Sequence, residues 1–173
     1  MVTIICATHR PQNQTQKVVN AYGKMLESKG VEHQLFTLED LPRAFFEGVP
    51  FSGVGSELQD LLDRVIAPAE KLVVISPEYN GSFPGIFKSF LDSVPPVIWR
   101  GKKAALVGVA SGRAGNIRGM DHLTDVFHHL QIEVLSAKVP ISKIEALLSD
   151  SGELHDQETL AVLERQWKAF EKF

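Results

Sequence analysis

Short apolar runs and longer stretches of helical period alternate along the chain. The apolar runs predict five strands, at Val2–Ala7, Val31–Leu38, Leu72–Ile75, Ala104–Ala110 and Ile132–Val139. In the stretches between and after them, apolar side chains recur every three or four residues. This spacing predicts helices over Asn13–Lys29, Ser56–Ala67, Pro84–Leu91, Ile117–Leu130 and Asp156–Phe173. Such alternation predicts a mainly parallel sheet with helices on both faces.

Three positions refine the predicted helix boundaries. Gly30 directly follows the first helical stretch and is a typical stop signal. Ser56 and Gln59, three residues apart, fit a capping box at the start of the second helix. Pro84 is expected at the first helical position of the third, where its missing N–H costs nothing.

The strand count and the chain length together predict the fold class. A chain of 173 residues is most economically one domain, 1–173, and buries about 70% of its unfolded surface. Five strands in this length fit an α/β three-layer sandwich whose five-stranded parallel sheet has the flavodoxin-like order 2-1-3-4-5. Ligands of such sheets bind at the carboxyl ends of the strands, so the loops after strands one, three and four are the candidates.

Composition and charge limit the classes of partner and the cellular compartment that we expect. The net charge is -3 and no long basic run occurs, which argues against nucleic acid or an anionic membrane as a partner. The start MVTIICATHR lacks a basic leader, and its apolar stretch is too short for a signal peptide or a membrane span. The single cysteine, Cys6, has no internal disulfide partner, so we expect a cytoplasmic protein with Cys6 as a small core residue.

The loop after strand one, residues 7–15, carries short polar side chains and one cation. Thr8, Asn13 and Thr15 offer donors, Arg10 offers a guanidinium, and the next helix opens with unpaired amides. These features fit a phosphate-binding site, and they fit equally well a polar turn in which Asn13 or Thr15 caps the next helix. The loop contains no glycine, which argues against GxGxxG dinucleotide binding and against a Walker loop.

The loops after strands three and four are also polar. Residues 77–82 read PEYNGS and residues 111–116 read SGRAGN. Taken alone, the first is a turn shaped by its proline and glycine, and the second is a capped strand-to-helix turn.

Together, however, the three loops resemble a known family. The run SPEYNGSFPGIFKSFLD resembles the SPEYNxSxPGxLKNxID signature of the NADPH-dependent FMN reductases. ATHRPQNQT is similar to that family's phosphate loop, GSxRxxSxN, and SGRAGNIRGMDHL is similar to its third flavin loop. The family is flavodoxin-like and includes quinone, azo-dye and chromate reducers. The resemblance covers essentially the whole chain, in the expected order.

The resemblance implies a set of FMN-binding residues. The positions that match those holding the phosphate are Thr8, Arg10, Asn13, Gln14 and Thr15. The positions that match those wrapping the isoalloxazine edge and the ribityl chain are Pro77, Glu78, Tyr79, Asn80 and Gly81. Ser111 and Gly112 match the third loop, beside the pyrimidine end of the ring.

The chain departs from the family pattern at four positions. Ala7-Thr8 stands where Gly-Ser is usual, and Asn13 replaces a serine. Asn116 falls where the second glycine of a pair is common. The hydroxyl of Thr8 and the donor of Asn13 keep phosphate binding feasible. Ala7 is harmless only if its backbone needs no positive φ.

The resemblance also implies the chemistry. NAD(P)H, as NADPH or NADH, would deliver hydride to bound FMN, and a small acceptor would then take two electrons in a ping-pong cycle. The hydride step needs no side-chain acid or base, so no catalytic residue is named. We expect Asn80 and the amides of Glu78 to Asn80 to bind the ring and chain, and the amides of Ser111–Gly115 to offset negative charge on the ring. Arg113 or Arg118 either contacts the phosphates of the nicotinamide nucleotide or is a solvated arginine.

Other assignments concern assembly and rival classes. The segment Leu41–Gly55, with Phe45, Phe46 and Phe51, is expected to form a homodimer contact or a pocket wall, and the resemblance implies a homodimer or homotetramer. The alternatives are a flavodoxin-type one-electron carrier, usually far more acidic, and a domain that has lost FMN. No G-x-S-x-G nucleophile occurs, and the adjacent His128 and His129 do not suggest a metal site.

Overall fold

The computed structural model describes residues 1–47 and 55–173. These residues form six strands and six α-helices. The strands are β1 Val2–Cys6, β2 His33–Thr37, β3 Lys71–Pro77, β4 Lys103–Val109, β5 Glu133–Val134 and β6 Val139–Ile141. The helices are α1 Thr15–Ser28, α2 Arg43–Phe46, α3 Ser56–Val65, α4 Gly85–Ser93, α5 Ile117–His129 and α6 Gln157–Lys172. No helix of the described residues is both long and apolar enough to cross a membrane.

All strand pairings are parallel, and the order β2-β1-β3-β4-β5 confirms the predicted topology. The fifth predicted strand, Ile132–Val139, is wrong as a single element. Its first part, β5, pairs with Lys103–Ala104 of β4, and β6 pairs further along the same strand, with Val107–Val109. Leu135 N still donates to Ala104 O of β4 at 2.8 Å, and residues 136–138 separate the two pairings, so two short strands lie in succession along the same side of β4.

Two hydrophobic clusters cover the two faces of the sheet. Helices α1 and α6 pack on one face, over β-strand side chains such as Ile4, Val73 and Val107. Helices α3, α4 and α5 pack on the other, over Ile5, Val74 and Leu106. Neighbouring strand residues such as Ile4 and Ile5 thus enter different clusters, because successive strand side chains point to opposite faces. This is why the central strands are apolar at every position.

The roles predicted for Ser56 and Pro84 at helix N-termini differ from the structure. Gly55, not Ser56, is the N-cap of α3, and no side chain caps that helix, so the predicted capping box is wrong. Gln59 instead donates to Asp63 on the exposed side of the helix at 2.8 Å. Pro84 is extended, with φ -61° and ψ 136°, and comes directly before the first residue of α4. Its fixed φ therefore sets the entry into the helix from outside the first turn.

The segment predicted as a dimer contact or pocket wall, Leu41–Gly55, is described in part. Phe45 lies in α2 and is only 6% exposed, inside this chain's own core. Phe46 is 46% exposed, and its ring stacks on His9 with centroids 5.5 Å apart. Phe51 lies outside the described residues. The exposed Phe46, beside the loop after β1, is the part of this segment to which the prediction still applies.

Candidate functional site

The loops after β1, β3 and β4 meet at the carboxyl edge of the sheet and line two adjoining cavities. One has a volume of about 330 Å³ and the other about 320 Å³, and both are lined by Glu78, Ala110 and Ser111. Eleven of the twelve predicted residues line one or both cavities: Arg10, Asn13, Gln14, Thr15, Pro77, Glu78, Tyr79, Asn80, Gly81, Ser111 and Gly112. The sequence therefore predicted a set of residues that the fold brings together.

The loop after β1 presents unused donors at the start of α1. Four consecutive amides, Gln12 to Thr15, donate to no oxygen of the described residues. Arg10 is exposed, and its guanidinium forms no ion pair with any of the described residues. The side-chain oxygen Gln14 Oε1 is buried and has no hydrogen-bond partner, so it is available to accept a hydrogen bond from a ligand. A helix N-terminus with free amides and a nearby guanidinium is suited to a phosphate.

Two of the predicted phosphate residues have other partners. The twelfth predicted residue, Thr8, is fully buried; its Oγ1 lies 2.8 Å from the Tyr79 hydroxyl and accepts from Arg10 N at 3.2 Å. Thr8 therefore ties the loop after β1 to the loop after β3. Asn13 Oδ1 accepts from Gln16 N at 2.8 Å, so Asn13 caps the first turn of α1. Ala7 is not among the described residues with positive φ, so an alanine there is unstrained.

The loop after β3 is a tight two-residue turn. Tyr79 and Ser82 exchange backbone hydrogen bonds of 2.8 and 3.1 Å, and the central residues Asn80 and Gly81 have φ of 51° and 76°. These values define a type I′ turn, for which Asn-Gly is the preferred pair. The expectation that the amides of Glu78 and Tyr79 are free is wrong, because Glu78 N donates to Val109 O at 2.8 Å and Tyr79 N to Ser82 O. Of the three amides, that of Asn80 alone has no acceptor among the described residues.

The loop after β4 is polarised. Five consecutive amides, Ser111 to Gly115, donate to no oxygen in residues 1–47 and 55–173. The chain after β6 donates to two carbonyls of this stretch and to the one before it: Gly112 O accepts from Lys143 N at 3.0 Å, Arg113 O from Ser142 Oγ at 2.6 Å, and Ala110 O from Ile144 N at 3.1 Å. With carbonyls engaged and amides unused, the loop favours a ligand that carries negative charge.

Asn116 joins the loops after β3 and β4, a role that the sequence analysis missed. Its Nδ2 donates to Ser76 O and to Pro77 O, both at 3.0 Å, and its backbone N donates to Glu78 Oε2 at 3.1 Å. Asn116 is fully buried, with φ 62°. That left-handed backbone explains why the resembled family often has glycine here, and asparagine is the side chain that tolerates it best. An Asn directly after glycine and before a helix was the available signal.

The pKa of Cys6 supports its assignment as a core residue. Burial, with a smaller contribution from the negative charge of Glu39, raises the pKa of the thiol to about 12. The thiol is fully buried, and its Sγ lies 3.6 Å from Asn13 Oδ1. Cys6 is therefore a protonated hydrogen-bond donor at neutral pH and not a nucleophile.

Two larger grooves of the described residues lack the predicted site residues. Grooves of about 420 and 600 Å³ flank α1 on the side of β2 and of α6, and no predicted site residue lines either. Across residues 1–47 and 55–173, no three His, Cys, Asp or Glu side chains are grouped to hold a metal ion. Arg113 lines the second cavity, and Arg118 Nη1 lies 3.5 Å from where a β-carbon on Gly81 would stand. For both arginines, contact with the phosphates of the nicotinamide nucleotide and simple solvation remain the two alternatives.

A parallel sheet of order 2-1-3-4-5 with three polar loops at its carboxyl edge defines a flavodoxin-like protein. Residues 1–146 match the sequence profile of the NADPH-dependent FMN reductases, and the chain belongs to that family.

Curated relatives are named as reductases, and a solved structure shares the fold. A 2-hydroxy-1,4-benzoquinone reductase from Burkholderia sp. is 32% identical over 113 residues, which cover 62% of this chain and 62% of that protein. The NADH:(hydroxy)cinnamate reductase subunit CrdA of Vibrio ruber is 28% identical over 145 residues, covering 81% of this chain and 70% of the subunit. The chain spans less than two thirds of the length of the Burkholderia benzoquinone reductase. The flavoenzyme NAD(P)H:(acceptor) oxidoreductase FerB from Paracoccus denitrificans has the same fold, with a TM-score of 0.76, 23% identity and coverage of 99% of this chain and 97% of FerB.

Proposed function

We propose that this protein binds FMN and transfers hydride from NAD(P)H through it to a small acceptor, such as a quinone, free flavin, azo compound or chromate. The observation that carries the proposal is the set of unused backbone donors at one edge of the sheet: Gln12–Thr15, Asn80 and Ser111–Gly115. These amides lie in the three loops that line the adjoining cavities. Family membership and reductase relatives support the same function.

The residues divide the proposed binding task between the two ends of the site. The first-turn amides of α1 and the Arg10 guanidinium would hold the phosphate, since both favour an anion. The buried Gln14 Oε1 is placed to accept from a ribityl hydroxyl. The donors of Asn80 and of Ser111–Gly115 would bind the polar edge of the ring and stabilise negative charge there.

When bound, FMN supplies the redox chemistry, taking hydride from NAD(P)H and passing two electrons to the acceptor. The protein's part would be to hold the ring through Asn80 and Ser111–Gly115 and to leave it accessible to donor and acceptor in turn, as a ping-pong cycle requires. No side chain acts as acid or base in this scheme. A homodimer or homotetramer, as the family resemblance implies, would leave this edge bordered by a second subunit.

The visible spectrum of the purified protein tests cofactor and activity together. Protein incubated with FMN and desalted should absorb near roughly 450 nm, as oxidised flavin does, and anaerobic NADPH or NADH should bleach that band. A quinone should then restore it without any partner protein. A protein that stays colourless has lost FMN binding. A flavoprotein that NAD(P)H does not reduce is better explained as a one-electron carrier.

Arg10→Met tests the phosphate end of the site. Loss of a charge-assisted pair should weaken FMN binding by about tenfold or more and leave riboflavin, which lacks the phosphate, nearly unchanged. Arg43→Met is the matched control, because Arg43 is exposed and pairs with Glu47 on the protein surface. Equal losses for FMN and riboflavin would contradict the proposed phosphate-binding site.

A further inference from the structure

The amide of Asn13 has four partners in this structure. Its Nδ2 donates to Arg10 O at 2.8 Å and to Glu39 Oε1 at 3.2 Å. Its Oδ1 accepts from Gln16 N at 2.8 Å and faces the Cys6 thiol, with Sγ at 3.6 Å. Because a side-chain amide has two N–H donors and two acceptor lone pairs, all of its capacity is used.

We infer that Asn13 and Glu39 are positioning residues, which hold the loop after β1 in the shape that receives the phosphate. This inference rests on the proposed function and changes the role that family resemblance gives to Asn13. A saturated amide has no donor left for a phosphate oxygen, so Asn13 acts through the loop and not by direct contact. The serine usual in the family has a single hydroxyl and cannot make these four contacts at once.

The loop needs this support because its own conformation is strained. Gln12 has φ 56°, in the left-handed region, which costs a residue with a side chain about 1 kcal/mol or more. Pro11 and Gln12 are exposed. They have no backbone hydrogen bonds among the described residues. Such a turn persists only if its flanks are fixed, and Asn13 fixes both, through Arg10 O before the turn and Gln16 N after it.

Glu39 anchors Asn13 from another part of the fold. It lies in a short 3-10 helix, Leu38–Asp40, that follows β2, where Thr37 caps the turn by accepting from Glu39 N at 3.3 Å. Since β2 neighbours β1 in the sheet, the two loops meet at the same edge. Glu39, which is outside the predicted site, thereby supports the loop that carries the unused amides of Gln12–Thr15.

The test compares Glu39→Ala with Glu39→Gln, since both remove the charge and Gln alone keeps an acceptor oxygen. Two readouts are needed: dissociation constants for FMN and for riboflavin, and hydrogen–deuterium exchange over residues 8–16 in flavin-free protein. Glu39→Ala should weaken FMN by about tenfold, leave riboflavin within about twofold, and speed exchange in this segment. Glu39→Gln should restore both readouts. Asp40→Ala, the same charge change one residue on, should alter neither.

Asn13→Ser completes the cycle, because serine keeps an acceptor for Gln16 N but cannot reach Arg10 O and Glu39 together. It should reproduce the Glu39→Ala effects, and the double variant should be no worse than the poorer single one. Tighter FMN binding by both Glu39 variants would mean that Glu39 acts by charge alone, and additive losses would mean separate roles; either result overturns the inference. If wild-type protein binds no flavin, the proposed function fails, and the exchange rates still decide whether Asn13 and Glu39 hold the loop.

Discussion

The two edges of the sheet differ in whether the backbone groups at helix ends have hydrogen-bond partners. At the carboxyl edge, amides at the starts of α1 and α5 and in the loops remain unused. At the amino edge, where α3 and α6 end, lysines occupy the free carbonyls. Lys71 Nζ donates to Phe170 O and Glu171 O at 2.7 and 2.8 Å, its strand neighbour Lys103 donates to Phe173 O, and Lys102 donates to Ala67 O and Ala69 O.

The difference separates stability from binding. Cations at helix C-termini offset the helix dipole and complete the hydrogen bonding of the last turn. Burial, followed by the charge of Lys103, lowers the pKa of Lys71, so the protein tolerates a desolvation cost to place a cation there. At the carboxyl edge the backbone amides lack such partners among the described residues, so these donors remain available to a ligand. Substitutions at the amino edge should therefore change stability alone, whereas substitutions in the carboxyl-edge loops should change flavin binding as well as stability.

The largest effect is expected for Gly108→Ala, in β4 beneath the loop after that strand. An alanine β-carbon would stand 2.1 Å from Gly115 O and 2.9 Å from Asn116 Cβ, so the loop must move. We expect the free energy of unfolding, from urea denaturation, to fall by about 3 kcal/mol and flavin binding to be lost. Gly85→Ala has open space around the new methyl and serves as the control. Unchanged FMN affinity in Gly108→Ala would show that this loop is not part of the site.

Next in size is the pair Asn116→Ala and Asn116→Gly. Both leave the carbonyls of Ser76 and Pro77 without their donor, at a cost of about 2 kcal/mol. Alanine also strains the positive φ, which glycine does not, so alanine should be less stable by about a further 1 kcal/mol. Urea denaturation of both variants separates the two terms. Equal stabilities would mean that the backbone relaxes out of the left-handed region.

At the amino edge, Lys71→Met together with Lys103→Met should lower the unfolding free energy by about 1 kcal/mol. Because these lysines lie at the opposite edge of the sheet from the cavities, the dissociation constant for FMN should not change. Thermal denaturation and flavin titration of the same preparation check both statements. A loss of flavin affinity would show that the two edges are coupled through the sheet.

The smallest effect concerns Cys6 and appears at alkaline pH. Its pKa is about 12 in the folded protein against 9.0 for the ordinary thiol, so between these values the unfolded chain releases a proton that the folded chain keeps. Stability from this group is thus complete below pH 9 and falls as the pH rises, by about 1 kcal/mol at pH 10. Urea midpoints at pH 8 and 10 should fall more for wild type than for Cys6→Ala. Alkylation of native Cys6 by iodoacetamide at pH 8 would contradict its burial.

The sequence predicted the sheet well because the central strands are apolar on both faces and their loops are unlike ordinary turns. It could not predict the split of the fifth strand, since Leu135, which lies outside both short strands, is as apolar as Val134 and Val139, which pair with β4. Nor could it show that the Glu78 and Tyr79 amides are engaged, which depends on Val109 O and on the hairpin turn. The saturation of Asn13 was equally hidden, because two of its partners, Cys6 and Glu39, come from other elements.

The polarised loop at Ser111–Gly115 has a consequence for oxidising strength. A group that gains an electron pair against these unused amides is stabilised more than the same group before the gain, since the donors are already in place. Any redox ligand seated there should therefore have a higher midpoint potential than it has free in water. The chain after β6 would set that shift, since it engages three of the neighbouring carbonyls.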